Sequence, residues 1–276
     1  MKQRVTFFSL LIYLALFSVP TAVYADTILL LHGYLGSSQE WQRSGIVGQL
    51  DSMGWKNAGV LNIEDDRVQS SKPSKQVPTN LRRLYSLELP SEQSIDKQAK
   101  RLDQYVKFVQ HRHTDEQIIL IGHSAGGIVA RLYMVQNSQL NLSALITIAS
   151  PHLGTKNAAL AQTVSENVLV WVDSLPGVEK IYRSQGLFFD LSPNRTDNLI
   201  GWLNYQEHPQ ARYYSIVRED SKDHLQDFVV PSHSQDMNEV FALRGRSKTY
   251  QIKSLHGLST KDGELLKTIL IDLYTI

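Results

Sequence analysis

Ile118-Ile119-Leu120-Ile121-Gly122-His123-Ser124-Ala125-Gly126-Gly127 joins two kinds of structure without a linker. The apolar run predicts a buried strand, and Ile128, Val129, Leu132 and Val135 then repeat at helical spacing. Between the two stands Gly-x-Ser-x-Gly. A chain that leaves a strand and enters a helix within one residue strains its backbone there and lifts that side chain clear of the sheet's carboxyl edge. Side chains two positions away on either side would collide at such a turn. Gly122 and Gly126 remove them, Gly127 allows closer packing still, and Ser124 is left at the apex.

Working outward, further apolar runs are spaced like the strands of one sheet. Thr27-Ile28-Leu29-Leu30-Leu31 ends in His32-Gly33-Tyr34-Leu35-Gly36-Ser37, and a strand is predicted over residues 58–63. Residues 144–149 run into Ser150-Pro151-His152-Leu153-Gly154-Thr155, and residues 213–217 and 249–252 read as the last two strands. Helices are predicted over residues 38–53, from Ser91 through Val109, and at the end of the chain, where Leu265, Leu266, Ile269, Leu270 and Leu273 share a face. Strands alternating with helices at these intervals imply a parallel sheet with right-handed crossovers. Residues 64–90, polar and carrying Pro73, Pro78 and Pro90, read as a long solvated loop. His111 and His113 read as helix-end cations or surface residues, with no partner at metal-ligand spacing.

Gly122-His123-Ser124-Ala125-Gly126, the His32-Gly33 loop and the Ser150-to-Thr155 run together resemble the α/β-hydrolases, more narrowly the bacterial lipase and esterase branch that includes triacylglycerol lipases. That resemblance implies an α/β-hydrolase fold, a mostly parallel central sheet with helices on both faces and a helical cap or lid. It implies one domain over residues 26–276, with the lid inserted at about residues 156–204, where Leu187-Phe188-Phe189 makes an unusually apolar patch. Ser124 takes the nucleophile position, and His256, in the loop after the last strand, takes that of the base. Four acids, Asp220, Asp223, Asp227 and Asp236, follow the strand at 213–217. Asp227 opens a run, Asp227-Phe228-Val229-Val230-Pro231-Ser232-His233-Ser234, that resembles the Asp-x-Val-Val-Pro-x-x-Ser segment carrying the acid in related lipases, although Phe228 stands where the family commonly has Gly. His152 is a rival base, but it precedes the acid in the chain, which is not the order of the fold. By the same resemblance the N–H groups of Tyr34 and Ala125 form the oxyanion hole, and His32 holds its loop in shape.

The function implied is an exported serine hydrolase that cleaves acyl or lipid esters through a Ser-Asp-His triad and an acyl-enzyme. An acyltransferase or thioesterase would use the same intermediate, whereas a non-catalytic binding protein on this fold would have a broken triad, and here all three positions are filled. The chemistry needs no cofactor. Some bacterial lipases hold a structural Ca²⁺ through acidic loop residues, and Asp220, Asp223, Asp227 and Asp236 are the residues available for one here. The partner expected is a lipid or other acyl-ester substrate, with transient contact between an apolar cap and a lipid surface.

Composition bounds the rest. With 276 residues, 42% hydrophobic and 20% charged, the chain can bury one large core, and a net charge of +1 provides no basic field for nucleic acid. The absence of cysteine excludes disulfides, thiolate metal sites, a Cys nucleophile and a lipoprotein anchor. Lys2 and Arg4, the apolar residues 7–19, Pro20 and Val23-Tyr24-Ala25 have the pattern of a signal peptide cleaved after Ala25, leaving a periplasmic or secreted protein.

Overall fold

A computed structural model describes residues 26–71, 81–114, 116–156, 178–193, 195–219 and 227–275. Eight strands form one sheet: β1 (Thr27–Leu31), β2 (Lys56–Glu64), β3 (Arg67–Ser70), β4 (Arg83–Leu87), β5 (Ile118–His123), β6 (Leu142–Ile148), β7 (Arg212–Arg218) and β8 (Ser247–Ile252). Their spatial order is β3-β2-β4-β1-β5-β6-β7-β8. Only β3 runs antiparallel to its neighbour; every other pair is parallel. The carboxyl ends of the parallel strands therefore share one edge, where sheets of this kind bind their ligands.

The central strands β1, β4 and β5 are buried at every position because both faces are covered. In β1, Leu29 and Leu31 enter one core and Ile28 and Leu30 the other, as the two-residue period of a strand requires. The first core packs on α3 (Ile95–Arg112) and α4 (Ala125–Gln136). The second packs on α2 (Ile46–Ser52) and the terminal helix, labelled α9 below (Thr260–Tyr274). Each Leu or Ile fully buried this way contributes about 1.5–3 kcal/mol. Among the described residues no helix is long and apolar enough to cross a membrane.

Several sequence expectations need correction. Within the supposed loop at 64–90 lie β3 and the fully buried β4, which sits between β2 and β1. Arg83 hides the strand from a hydropathy reading; its guanidinium is buried and paired with Glu116, which also accepts from Thr27 Oγ1 at 2.6 Å. The single helix expected over 38–53 is two, α1 (Glu40–Arg43) and α2, because the backbone turns left-handed at Gly45 (φ 79°). His113 is not a helix-end cation. It is largely buried, with Tyr85 Oη at 3.5 Å and Glu116 at 3.7 Å, and burial pushes it down to about 4, so the ring is neutral.

From the insertion, α5 (Val178–Arg183), α6 (Gln185–Asp190) and α7 (Leu199–Leu203) are described. Leu187 and Phe188 are buried there rather than displayed, and the Phe188 ring meets Tyr34 edge-on at 5.4 Å. Residues 157–177 of the lid expected at about 156–204, the leader at residues 1–25, and the candidate acids Asp220 and Asp223 lie outside the described residues.

Candidate active site

Ser124 stands between β5 and α4 with φ 51° and ψ −127°, a conformation that costs a non-glycine residue about 1–3 kcal/mol. Its neighbours hold it there. Ser124 N donates to Ile148 O at 2.8 Å, and a Cβ on Gly126 would lie 2.5 Å from His32 O. Only glycine at 126 lets α4 start this close to the end of β1.

His256 reaches Ser124 from the loop after β8. Its Nε2 lies 2.9 Å from Ser124 Oγ, and its Nδ1 lies 2.7 Å from Asp227 Oδ2. A carboxylate can only accept, so Nδ1 carries the hydrogen and the Nε2 lone pair faces the serine hydroxyl. Asp227 Oδ1 accepts from the N–H groups of Val229 (2.7 Å) and Val230 (3.0 Å), and Gln235 Nε2 donates to Oδ2 at 3.0 Å. Burial raises the Asp227 carboxyl, but the hydrogen bond and charge of His256 with the two backbone donors outweigh it and hold the group below the usual carboxylate range. These amides make the turn despite Phe228, whose side chain is exposed.

Sequence reasoning missed the groups that hold His256. His123 Nε2 donates to the His256 carbonyl at 2.9 Å, its ring 5.2 Å from the His256 ring. Burial and the neighbouring imidazole push His123 down to about 3, so it acts as a neutral prop. On the other side, Arg218 donates to Gly257 O at 3.1 Å and is paired with Asp262; both side chains are wholly buried. Asp262 also accepts from Ser259 N and Oγ, closing a capping box on α9 (Thr260–Tyr274). Gln235, on the short α8 (Ser232–Gln235), accepts from Arg218 N at 2.7 Å and so links β7 to the Asp227 carboxylate. Ser259-x-x-Asp262 signals that cap in the sequence; nothing local signals Arg218 or Gln235.

The other candidates stand elsewhere. His152 accepts from Arg131 at 3.1 Å and donates to Thr147 Oγ1 at 3.1 Å, so both ring nitrogens are committed away from Ser124. His32 accepts from Leu89 N at 3.0 Å and donates to Gly33 O at 3.0 Å, holding the loop after β1. Asp236 caps a turn through Asn238 N and Thr249 Oγ1, each at 2.8 Å. Among the described residues, no group of three or more acidic, His or Cys side chains could hold a metal ion.

Gly33 lies directly over the serine: a Cβ on it would be 2.8 Å from Ser124 Cβ. Tyr34 follows it and lines the same cavity as Ser124, and Ala125 begins α4. Neither N–H has an acceptor among the described residues. Unused amide donors on two sides of a serine are what a developing oxyanion requires. A cavity of about 450 Å³ opens here, lined by Ser124, His256 and Tyr34 and by Glu40 and Arg43 of α1.

A profile of the family described as a PGAP1-like alpha/beta domain matches residues 24–166, which include the Gly33 loop and Ser124. No curated protein matches the sequence. Among solved structures, the mature form of Bacillus licheniformis lipase BlEst2 superposes with a TM-score of 0.60 at 15% identity, covering 92% of this chain and 94% of that one. The lin2722 gene product of Listeria innocua gives 0.57 at 18% identity, covering 91% and 95%. Est1E from Butyrivibrio proteoclasticus gives 0.55 at 13%, covering 91% and 89%. At such identities the likeness is one of fold.

Proposed function

Because this chain belongs to the PGAP1-like alpha/beta-domain family of the α/β-hydrolase superfamily, we propose that it is a serine hydrolase of carboxylic esters, with lipid acyl esters as its substrates. The observation that carries the reading is the chain of hydrogen bonds from Asp227 through His256 to Ser124 Oγ. Ser124 attacks the acyl carbonyl as His256 Nε2 takes its proton, and the N–H groups of Tyr34 and Ala125 receive the oxyanion. His256 then hands the proton to the departing alcohol. Water, deprotonated by the same nitrogen, attacks the acyl-enzyme and releases the acid. Asp227 keeps the imidazole in the required tautomer and stabilises its cation.

Exposed Leu35, Phe228, Val229 and Leu255 support an apolar substrate, since each sits on a loop that carries a site residue. Export after loss of residues 1–25 is part of the proposal and rests on their charge and hydropathy pattern.

The test is hydrolysis of p-nitrophenyl esters of increasing acyl length by the mature protein and by Ser124→Ala. The substitution should lower kcat by about a thousandfold or more, and the length optimum separates an esterase from a lipase. Equal rates for the two proteins would overturn the reading.

A further inference from the structure

The cavity over Ser124 contains a carboxylate that the triad does not use. Glu40, on α1, is half-buried and lines the same cavity as His256, Gly257 and Leu258. Among the described residues no backbone or side-chain donor reaches its carboxylate, and Arg43, the cation beside it, donates to Gln39 at 2.7 Å instead. Gly36 leaves room for it: a Cβ there would lie 2.8 Å from both Glu40 oxygens. Burial holds the Glu40 carboxyl above its usual range, outweighing the opposing pull of His32, Arg43 and His256, as expected for an acid that has lost water and found no donor.

The direction of the chemistry says which part of a substrate meets this group. His256 Nε2 passes its proton to the leaving oxygen, so the alcohol departs beside His256, into the cavity that Glu40 also lines. A half-buried carboxylate with free lone pairs binds hydrogen-bond donors and is wasted on an alkyl group. We infer that Glu40 selects the alcohol half of the ester, favouring alcohols that carry hydroxyl or ammonium groups over plain alkyl alcohols. This rests on the serine-hydrolase reading and adds a substrate class to it.

The experiment compares three esters of one acid, methyl octanoate, monooctanoylglycerol and octanoate of 2-aminoethanol, on the unaltered protein, Glu40→Ala and Glu40→Gln, with Ser124→Ala as the blank. In Glu40→Ala, kcat/KM for the glyceryl and aminoethyl esters should fall about tenfold relative to the methyl ester, the scale of one charge-assisted hydrogen bond. Glu40→Gln separates the two donors: its amide oxygen still accepts from a hydroxyl, so loss confined to the aminoethyl ester identifies an ammonium site, and retention of the glyceryl preference a polyol site. Parallel loss on all three esters means that Glu40 acts through His256 or the loop at Gly36 and overturns the proposal, as does an unchanged ratio. Absence of serine-dependent hydrolysis in the unaltered protein removes the underlying reading, a failure visible before any Glu40 variant is compared.

Discussion

Replacing Gly33 by Ala tests the oxyanion loop with one methyl group. The added Cβ would lie 2.8 Å from Ser124 Cβ, about 0.7 Å inside the distance of roughly 3.5 Å at which two carbons pack best. Ser124 cannot yield, because its amide is bonded to Ile148 O and its backbone is fixed between β5 and α4. The loop must move instead, against the bonds that Gly33 O accepts from His32 Nδ1 (3.0 Å) and Gly36 N (3.1 Å). A shift of that size carries the Tyr34 N–H out of reach of the oxyanion, which costs about 3 kcal/mol of transition-state stabilisation, or about a hundredfold in kcat. KM should change little, and the unfolding free energy from urea should fall by about 1–3 kcal/mol, the cost of a methyl forced into a buried, packed site. Steady-state kinetics on a p-nitrophenyl ester, paired with urea unfolding, reads both quantities. A kcat within threefold of the unaltered protein would refute the assignment of Tyr34 to the oxyanion hole.

Two further outcomes follow from buried charge. Asp262→Asn leaves the wholly buried Arg218 without its counter-ion and should cost about 3–5 kcal/mol in urea unfolding; a loss below about 1 kcal/mol would contradict the pairing. His208 is pushed down to about 3 by burial and by the Arg131 charge, against 6.5 for a free imidazole. Between those values the unfolded chain binds a proton that the native one refuses, so stability falls with pH below about 6.5, by about 1 kcal/mol per unit from this group. His208→Phe removes that share: the stability difference between the two proteins should shift in favour of the variant from pH 7 to pH 5, and a constant difference would count against it.

Local chemistry is what the sequence displays best. The strand, turn and helix around Ser124 are legible because the residues that shape them are chain neighbours, and the Asp227 turn is legible for the same reason, two of its donors being the next residues but one and two. β4 is illegible because Arg83 looks like a surface residue until Glu116, far along the chain, neutralises it. The props of the base fail for a similar reason. Arg218, Gln235 and Asp262 come from β7, a short helix and the terminal helix, and only the packed sheet brings them to one loop. The break at Gly45 is not singled out in the sequence, because the same helical run carries Gly48, which α2 keeps within the helix.

The hydrogen bond between Ser124 and His256 joins residues 132 positions apart. Bringing them together requires β6, β7 and β8 to dock beside β5 in register, each crossover closing a long loop before its contacts repay the entropy. Until then neither His256 nor the Ile148 carbonyl that holds the Ser124 backbone is in place. Under the proposed mechanism, competence therefore depends on the whole sheet: a molecule lacking the docked β6, β7 and β8 would carry Ser124 without the His256 it needs.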